Sequence, residues 1–143
     1  MLLRSRLGIA ALALIGLVLA LPAPAAGVTA DAFIRQWDSD HDGTLSLDEV
    51  KKAASARFDA LDRDHDGTLD RRELGATMSP RELRQADVAK DRKLDKNEYL
   101  ALVEKLFQAA DKDRDGKLDK KELSSPAGKP LLRLFGTRQG PLF

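Results

Sequence analysis

The 143-residue sequence predicts an all-α fold in which helices alternate with four acidic loops. Two observations predict it. A twelve-residue acidic segment occurs four times, and successive copies begin 24, 25 and 24 residues apart. Between the copies, apolar residues recur at three- and four-residue steps, which is the spacing of one buried helix face. The length is that of one domain or of two very small ones.

The composition excludes several classes of protein. The sequence has no cysteine, which excludes a disulfide scaffold, thiol chemistry and a cysteine zinc site. Its 24 Lys and Arg residues nearly balance its 23 Asp and Glu residues, so we expect no binding to nucleic acid. We expect no enzyme either, because no Ser/His/Asp or phosphate-loop arrangement occurs. His41 and His65 lie between acidic residues and are interpreted as solvent-facing turn residues, in preference to a shared transition-metal site.

The N-terminal segment has the three-part order of a secretory signal peptide. Two arginines precede the uncharged apolar run from Leu7 to Leu21, and Ala23-Pro24-Ala25 supplies a small-residue cleavage site. We predict a signal peptide over residues 1–25 and a mature chain of 118 residues with net charge −1, periplasmic or secreted. The alternative is a membrane anchor, because the apolar stretch reaches about 20 residues. The prolines favour cleavage, which leaves no stable membrane span.

The four acidic segments hold most of the carboxylates. Of the 23 acidic residues, 19 lie in loop 1 (38–49), loop 2 (62–73), loop 3 (87–98) and loop 4 (111–122). Carboxylates at loop positions one, three and five converge when the chain winds around one point, and glycine at position six permits the positive φ of the sharp turn. The carbonyl of position seven, the side chain of position nine and a glutamate at position twelve complete six or seven oxygen donors, which suit Ca²⁺ better than Mg²⁺.

The pattern D-x-D-x-D-G-x-L-[SD]-x-x-E is complete in loops 1, 2 and 4, and from about Thr29 to Leu123 the sequence resembles the EF-hand superfamily. The resemblance implies helix–loop–helix units that bind Ca²⁺. With its N-terminal signal, the sequence is similar to that of a bacterial exported EF-hand protein. The implied ligands of loop 1 are Asp38, Asp40, Asp42, Thr44, Ser46 and Glu49. Those of loop 2 are Asp62, Asp64, Asp66, Thr68, Asp70 and Glu73. Those of loop 4 are Asp111, Asp113, Asp115, Lys117, Asp119 and Glu122, with Lys117 acting only through its carbonyl.

Loop 3 departs from the pattern, which makes it the degenerate member of four hands. Ala89 stands where a carboxylate is needed, and Arg92 replaces the turn glycine. We therefore expect about three calcium ions, with the fourth site weak or absent. Leu94 stands at the position where each other loop also has leucine and where paired loops share a short β-bridge. Loop 3 is accordingly interpreted as a packing partner for another loop.

Helices are predicted around these loops. Thr29 can cap a first helix from Ala30 to about Trp37, which would bury Phe33, Ile34 and Trp37. Further apolar stripes run from Leu47 to Leu61 and from Tyr99 to Ala110. Between loops 2 and 3 the chain breaks at Gly75, and Ser79 to Glu82 has the pattern of a capping box with proline in the first turn.

How the loops pair is left open by the sequence. Each half, 37–74 and 86–123, consists of a loop, a helix and a loop. A helix of 15 residues is about 22 Å long and would hold its two loops apart. Either the helix bends near residues 53–55 and the loops pair within each half, or the loops pair between the halves.

The predicted function is calcium binding by an exported protein with an EF-hand domain over residues 28–123, acting as a Ca²⁺ buffer or sensor. The alternative is a calcium-stabilised structural adaptor that holds an envelope or secreted protein partner. The C-terminal tail, residues 124–143, would matter more for the adaptor because it contains Leu131, Leu132, Leu134 and Phe135. This apolar segment is either frayed or lies in a groove between the hands.

Overall fold

The computed structural model of the protein describes residues 27–136 of the chain. The described part is mainly helical, which confirms the predicted helical class. The helices are α1 (Ala30–Trp37), α2 (Leu47–Leu61), α3 (Arg71–Leu74), α4 (Pro80–Ala86), α5 (Lys96–Ala110), α6 (Lys120–Ser124) and α7 (Lys129–Phe135). The short strands are β1 (Leu45–Ser46), β2 (Thr68–Leu69), β3 (Leu94–Asp95) and β4 (Lys117–Leu118). The predicted signal peptide lies outside the described residues, and none of these helices has the length and apolar character to cross a membrane.

The long helices α2 and α5 pack against each other in antiparallel orientation at the centre of the fold. Near one end, Lys51 Nζ lies 2.8 Å from a carboxylate oxygen of Glu104. Near the other end, Lys96 Nζ lies 2.8 Å from Asp59 Oδ1. Because the residue numbers run in opposite directions along this contact, the start of α2 lies beside the end of α5.

The loops pair between the two halves of the chain. β1 in loop 1 pairs with β4 in loop 4 in antiparallel register, with Leu45 opposite Leu118. β2 in loop 2 pairs with β3 in loop 3, with Leu69 opposite Leu94. The unbroken 15-residue helix α2 keeps loops 1 and 2 at opposite ends of the fold. Of the two alternatives that the sequence leaves open, the structure therefore has pairing between halves, and Leu94 lies in the β-bridge as expected.

The core lies between the central helices and the two loop pairs. The Phe58 and Tyr99 rings meet edge to face across α2 and α5, with centroids 5.7 Å apart. The fully buried apolar side chains include Leu45, Val50, Ala53, Ala54, Leu69, Leu94, Tyr99, Val103, Leu118 and Leu123. The expectation that Trp37 is buried is wrong, because this side chain at the end of α1 is only partly covered. Leu102 and Leu106 on α5 are likewise only partly buried.

Local sequence signals set the helix starts. Thr29 Oγ1 accepts a hydrogen bond from the Ala32 amide at the start of α1, as predicted. The predicted capping box of Ser79 and Glu82 starts α4, with Pro80 as its first residue. Gly75, at φ +53°, ends the four-residue helix α3.

The apolar segment of the tail forms α7, which packs on α5 and α6. Its side chains Leu131, Leu132 and Leu134 are buried in the same core as the loops. The turn between α6 and α7 requires Gly128, because a Cβ there would lie 2.3 Å from the Glu122 carbonyl oxygen. Residues 129–135 are therefore docked on the fold and not frayed.

Candidate metal centre

All four loops have positive φ at the same two positions. Position six has positive φ in each loop, from +70° to +82°. Glycine occupies it in loops 1, 2 and 4, whereas loop 3 holds Arg92 there at φ +70°. A residue with a side chain is unfavourable in this left-handed region. Loop 3 therefore has the positive φ at position six without glycine, the residue that adopts this conformation most easily.

Position four of each loop also has positive φ. The residues are His41, His65, Lys90 and Arg114, with φ between +57° and +60°. Both histidine side chains are exposed at these turns. The structure therefore places them as the turn residues that the sequence indicates.

The carboxylate at position one accepts hydrogen bonds from backbone amides of its own loop. Asp38 Oδ2 accepts a 2.9 Å hydrogen bond from the Gly43 amide, and its Oδ1 accepts one from the Asp42 amide at 3.2 Å. Asp62 is bonded in the same way in loop 2. In loop 4, Asp111 Oδ2 accepts from the Gly116 amide at 3.1 Å, but its buried Oδ1 has no hydrogen-bond partner. A buried carboxylate oxygen without a partner is costly unless a further group binds it.

The glutamate at position twelve joins the two ends of each loop. Glu49 Oε1 accepts a 2.7 Å hydrogen bond from the Ser39 amide at position two. Its Oε2 accepts from the Ser46 amide at position nine, at 3.0 Å. Glu73 and Glu122 make the equivalent pairs of bonds in loops 2 and 4. The side chain that the sequence assigns to the ion is thus directed into the loop and is also part of the first turn of the following helix.

Ligand atoms converge in three loops. Within each cluster, one carboxylate oxygen from each residue lies within 4.8 Å of those from the other two. The clusters are Asp38, Asp40 and Glu49 in loop 1; Asp62, Asp64 and Asp66 in loop 2; and Asp111, Asp113 and Glu122 in loop 4. Among residues 27–136, no such cluster occurs in loop 3. There Glu98 Oε1 accepts from the position-two amide, of Val88, as in the other loops, and also from the Ala89 amide.

The electrostatics of loop 1 show that its acids are crowded. Desolvation and the hydrogen bond with the neighbouring Asp38 carboxylate raise the pKa of Asp40 above its ordinary value. Hydrogen bonds from the Ser46 amide and the Ser39 amide outweigh desolvation and lower the pKa of Glu49. A hard divalent cation, which prefers oxygen ligands, would relieve this repulsion. Together with the unpartnered oxygen of Asp111, this donor chemistry fits calcium.

The remaining predicted ligands have other contacts. The side chains at position nine, Ser46, Asp70 and Asp119, accept hydrogen bonds from backbone amides as N-caps of α2, α3 and α6. The hydroxyls of Thr44 and Thr68, at position seven, donate to Asp42 Oδ1 and Asp66 Oδ1 at 2.6 Å. Asp115 Oδ1 accepts from the Lys117 amide at 2.8 Å.

Two lysine contacts between loops were missed by sequence reasoning. Lys117 of loop 4 forms an ion pair with Asp42 Oδ2 of loop 1. Lys93 of loop 3 lies 2.6 Å from Asp66 Oδ2 of loop 2. The hydrogen bond from each lysine is the main cause that lowers the pKa of its aspartate partner to about 2. The calcium contact predicted for the Lys117 carbonyl stays a prediction, and the Lys117 side chain has a separate contact with the paired loop.

Comparison with known protein families identifies the same loops. The family model described as EF hand matches residues 30–53, 55–79 and 102–125, which is just over half of the chain. These segments contain loops 1, 2 and 4, whereas loop 3 is not matched. No curated protein shows a significant match to the chain. The repeats and the three acidic clusters indicate calcium binding, and the chain belongs to the EF-hand family.

Proposed function

We propose that the protein is an exported calcium-binding protein, in which loops 1, 2 and 4 each hold one Ca²⁺, and that it acts as a calcium buffer or sensor. The observation that carries the proposal is the convergence of carboxylate oxygens within 4.8 Å in each of these loops. All the assigned donors are oxygens, which are the ligands of Ca²⁺. This role is not enzymatic, because it assigns these acids to metal binding.

Bound calcium would supply positive charge to loops that otherwise hold five acidic residues in twelve. Three ions would change the net charge of the mature chain from −1 to +5. Glu49 is the residue through which loop 1 would communicate with the fold, because its side chain contacts the second loop residue and its backbone lies in the first turn of α2. A change in its ligation would therefore act directly on the start of a central helix.

The site assignment is tested by calcium titration in a calorimeter. We expect three ions for the wild-type protein, and the loss of one site or a strong loss of its affinity in each of Glu49→Gln, Glu73→Gln and Glu122→Gln. Glu98→Gln in loop 3 is the matched control and should leave the stoichiometry unchanged. Wild-type binding in the first three variants would contradict the ligand assignment. Affinities in the range of about 10⁻⁴–10⁻³ M would suit an extracellular module.

An adaptor role is the second candidate, and one surface feature favours it. A cleft of about 310 Å³ lies between α4, α5 and α7. The partly buried Leu102 and Leu106 line it together with Met78 and Leu134. A protein partner could contact this cleft in a calcium-stabilised structure.

A surface dye distinguishes the sensor from the structural adaptor. A sensor should show a large gain in dye fluorescence when calcium is added, because apolar surface becomes exposed. A structural role should instead show calcium-dependent folding without an exposed apolar patch. Export is tested separately, by sequencing the N-terminus of the protein recovered outside the cytoplasm, where we expect the chain to begin at Ala26.

A further inference from the structure

The lysine contacts between loops occupy equivalent places in the two loop pairs. In each pair, a lysine at position seven of one loop contacts the carboxylate at position five of the other: Lys117 with Asp42, and Lys93 with Asp66. The β-bridges place these loops side by side in the same antiparallel register. The repetition of the contact follows from this register, so each lysine has a defined partner.

These contacts occupy oxygens that the proposed calcium sites need. Asp42 Oδ1 accepts hydrogen bonds from the Thr44 amide at 2.8 Å and from the Thr44 hydroxyl, while Lys117 is bound to Oδ2. Asp66 has the same arrangement, with Thr68 on one oxygen and Lys93 on the other. A calcium ion that takes this carboxylate as a ligand must therefore compete with an ammonium group.

Loop 4 differs from loops 1 and 2 in this respect. Its position-five carboxylate, Asp115, forms no ion pair with a described residue. The residue at position seven of the paired loop 1 is Thr44, whose hydroxyl is bound within its own loop. In addition, the buried Asp111 Oδ1 has no partner. The carboxylates of loop 4 thus have fewer competing ion-pair and hydrogen-bond partners than those of loops 1 and 2.

We propose that Lys117 and Lys93 are internal counter-cations that weaken calcium binding at loops 1 and 2, so that loop 4 fills first. The inference rests on the proposed function, because it concerns the affinities of the same three sites. A lysine charge near the ion repels it as well as competing for its ligand. Both lysines are partly exposed, so water screens this effect, and we expect each to weaken its site roughly two- to fivefold at low salt.

The test follows the single glycine of each binding loop by NMR during titration with Ca²⁺. The backbone amides of Gly43, Gly67 and Gly116 report loops 1, 2 and 4 separately. In the wild-type protein, we expect the Gly116 signal to respond at the lowest calcium concentration. Lys117→Met should tighten loop 1 without changing loop 2, and Lys93→Met should tighten loop 2 without changing loop 1. Both gains should shrink when salt is added.

Control variants separate this effect from general charge and from folding. Lys121→Met removes the same charge from an exposed position of loop 4 and should leave loop 1 at its wild-type affinity. Lys117→Arg keeps the cation and should retain the weak binding of loop 1. Urea unfolding in chelator shows that each variant is folded.

Two results would overturn the inference while leaving the proposed function intact. One is that all three loops bind calcium but loop 1 in Lys117→Met has the affinity that it has in Lys121→Met. The other is that the Gly43 or the Gly67 signal responds at a lower calcium concentration than the Gly116 signal in the wild-type protein. If none of the three glycine signals responds to calcium, the proposed function itself is wrong.

Discussion

The ring of Phe135 lies 4.5 Å from the ring of Phe33, measured between centroids, at an interplanar angle of 40°. This contact joins the last described helix, α7, to the first, α1. Phe33 is almost fully buried. The C-terminal segment thus belongs to the same core as the loops that hold the acidic clusters.

Removing this contact should destabilise the whole fold. We expect Phe135→Ala to lower the free energy of unfolding by about 1–3 kcal/mol, because a partly buried aromatic side chain and its ring contact are lost. Urea denaturation measures the change. Val88→Ala is the control, since Val88 is 79% exposed and its truncation should stay within about 0.5 kcal/mol of wild type. Equal stability of Phe135→Ala and wild type would show that α7 is not part of the cooperative core.

Loop 3 should gain stability from the glycine that it lacks. Arg92→Gly, at φ +70°, should stabilise the protein in chelator by about 0.5–1 kcal/mol, because the left-handed conformation costs less without a side chain. Gly43→Ala in loop 1 is the reverse experiment. A Cβ at Gly43 would meet no atom within 4 Å, so only its φ of +82° opposes the change, and we expect a loss of about 1 kcal/mol. Changes of the same sign in both variants would refute this explanation.

A fourth calcium site should be obtained by repairing loop 3. The double variant Ala89→Asp/Arg92→Gly supplies the missing carboxylate and the turn glycine beside Asp87, Asp91 and Glu98. Calorimetry should then give four ions in place of three. Adding Glu98→Gln to the double variant should remove the gain. A stoichiometry that stays at three in the double variant would show that further features of loop 3 prevent binding.

The ion pair of Lys117 and Asp42 should make stability depend on pH in the acid range. In the folded protein, the pKa of Asp42 is lowered from 3.8 to about 2, mainly by the hydrogen bond from Lys117. A carboxylate whose pKa is lower in the folded than in the unfolded state stabilises the folded protein at pH values above its unfolded-state pKa. This contribution is lost as the pH falls from about 4 to about 2. In chelator, the urea midpoint should therefore fall across this range, and it should fall less in Lys117→Met. Lys121→Met should follow the wild-type profile, and an unchanged profile in Lys117→Met would contradict the assignment.

Local features were predictable from the sequence. The Thr29 cap, the Ser79 capping box and the bounds Leu47–Leu61 of α2 all match, because each depends on residues a few positions apart. The repeat spacing also located three acidic clusters, since convergence within a loop depends only on the loop itself.

Contacts between distant segments were not predictable in the same way. The pairing of loop 1 with loop 4 depends on how α2 and α5 pack, and no local pattern encodes that choice. The side-chain role of Lys117 follows from this pairing, so it could not be inferred before the pairing was known. Trp37 was expected in the core from its helical spacing alone, although the end of a short helix leaves it partly exposed.

The bridge between Leu45 and Leu118 joins residues 73 positions apart, and it encloses the bridge between Leu69 and Leu94. A growing chain can close the inner bridge first, but the outer one must wait until Leu118 has been added. Any product truncated before loop 4 would leave loop 1 without its neighbour and expose Leu45 to water. Because the bridges are nested, loop 1 obtains its neighbour only in a chain that extends through loop 4.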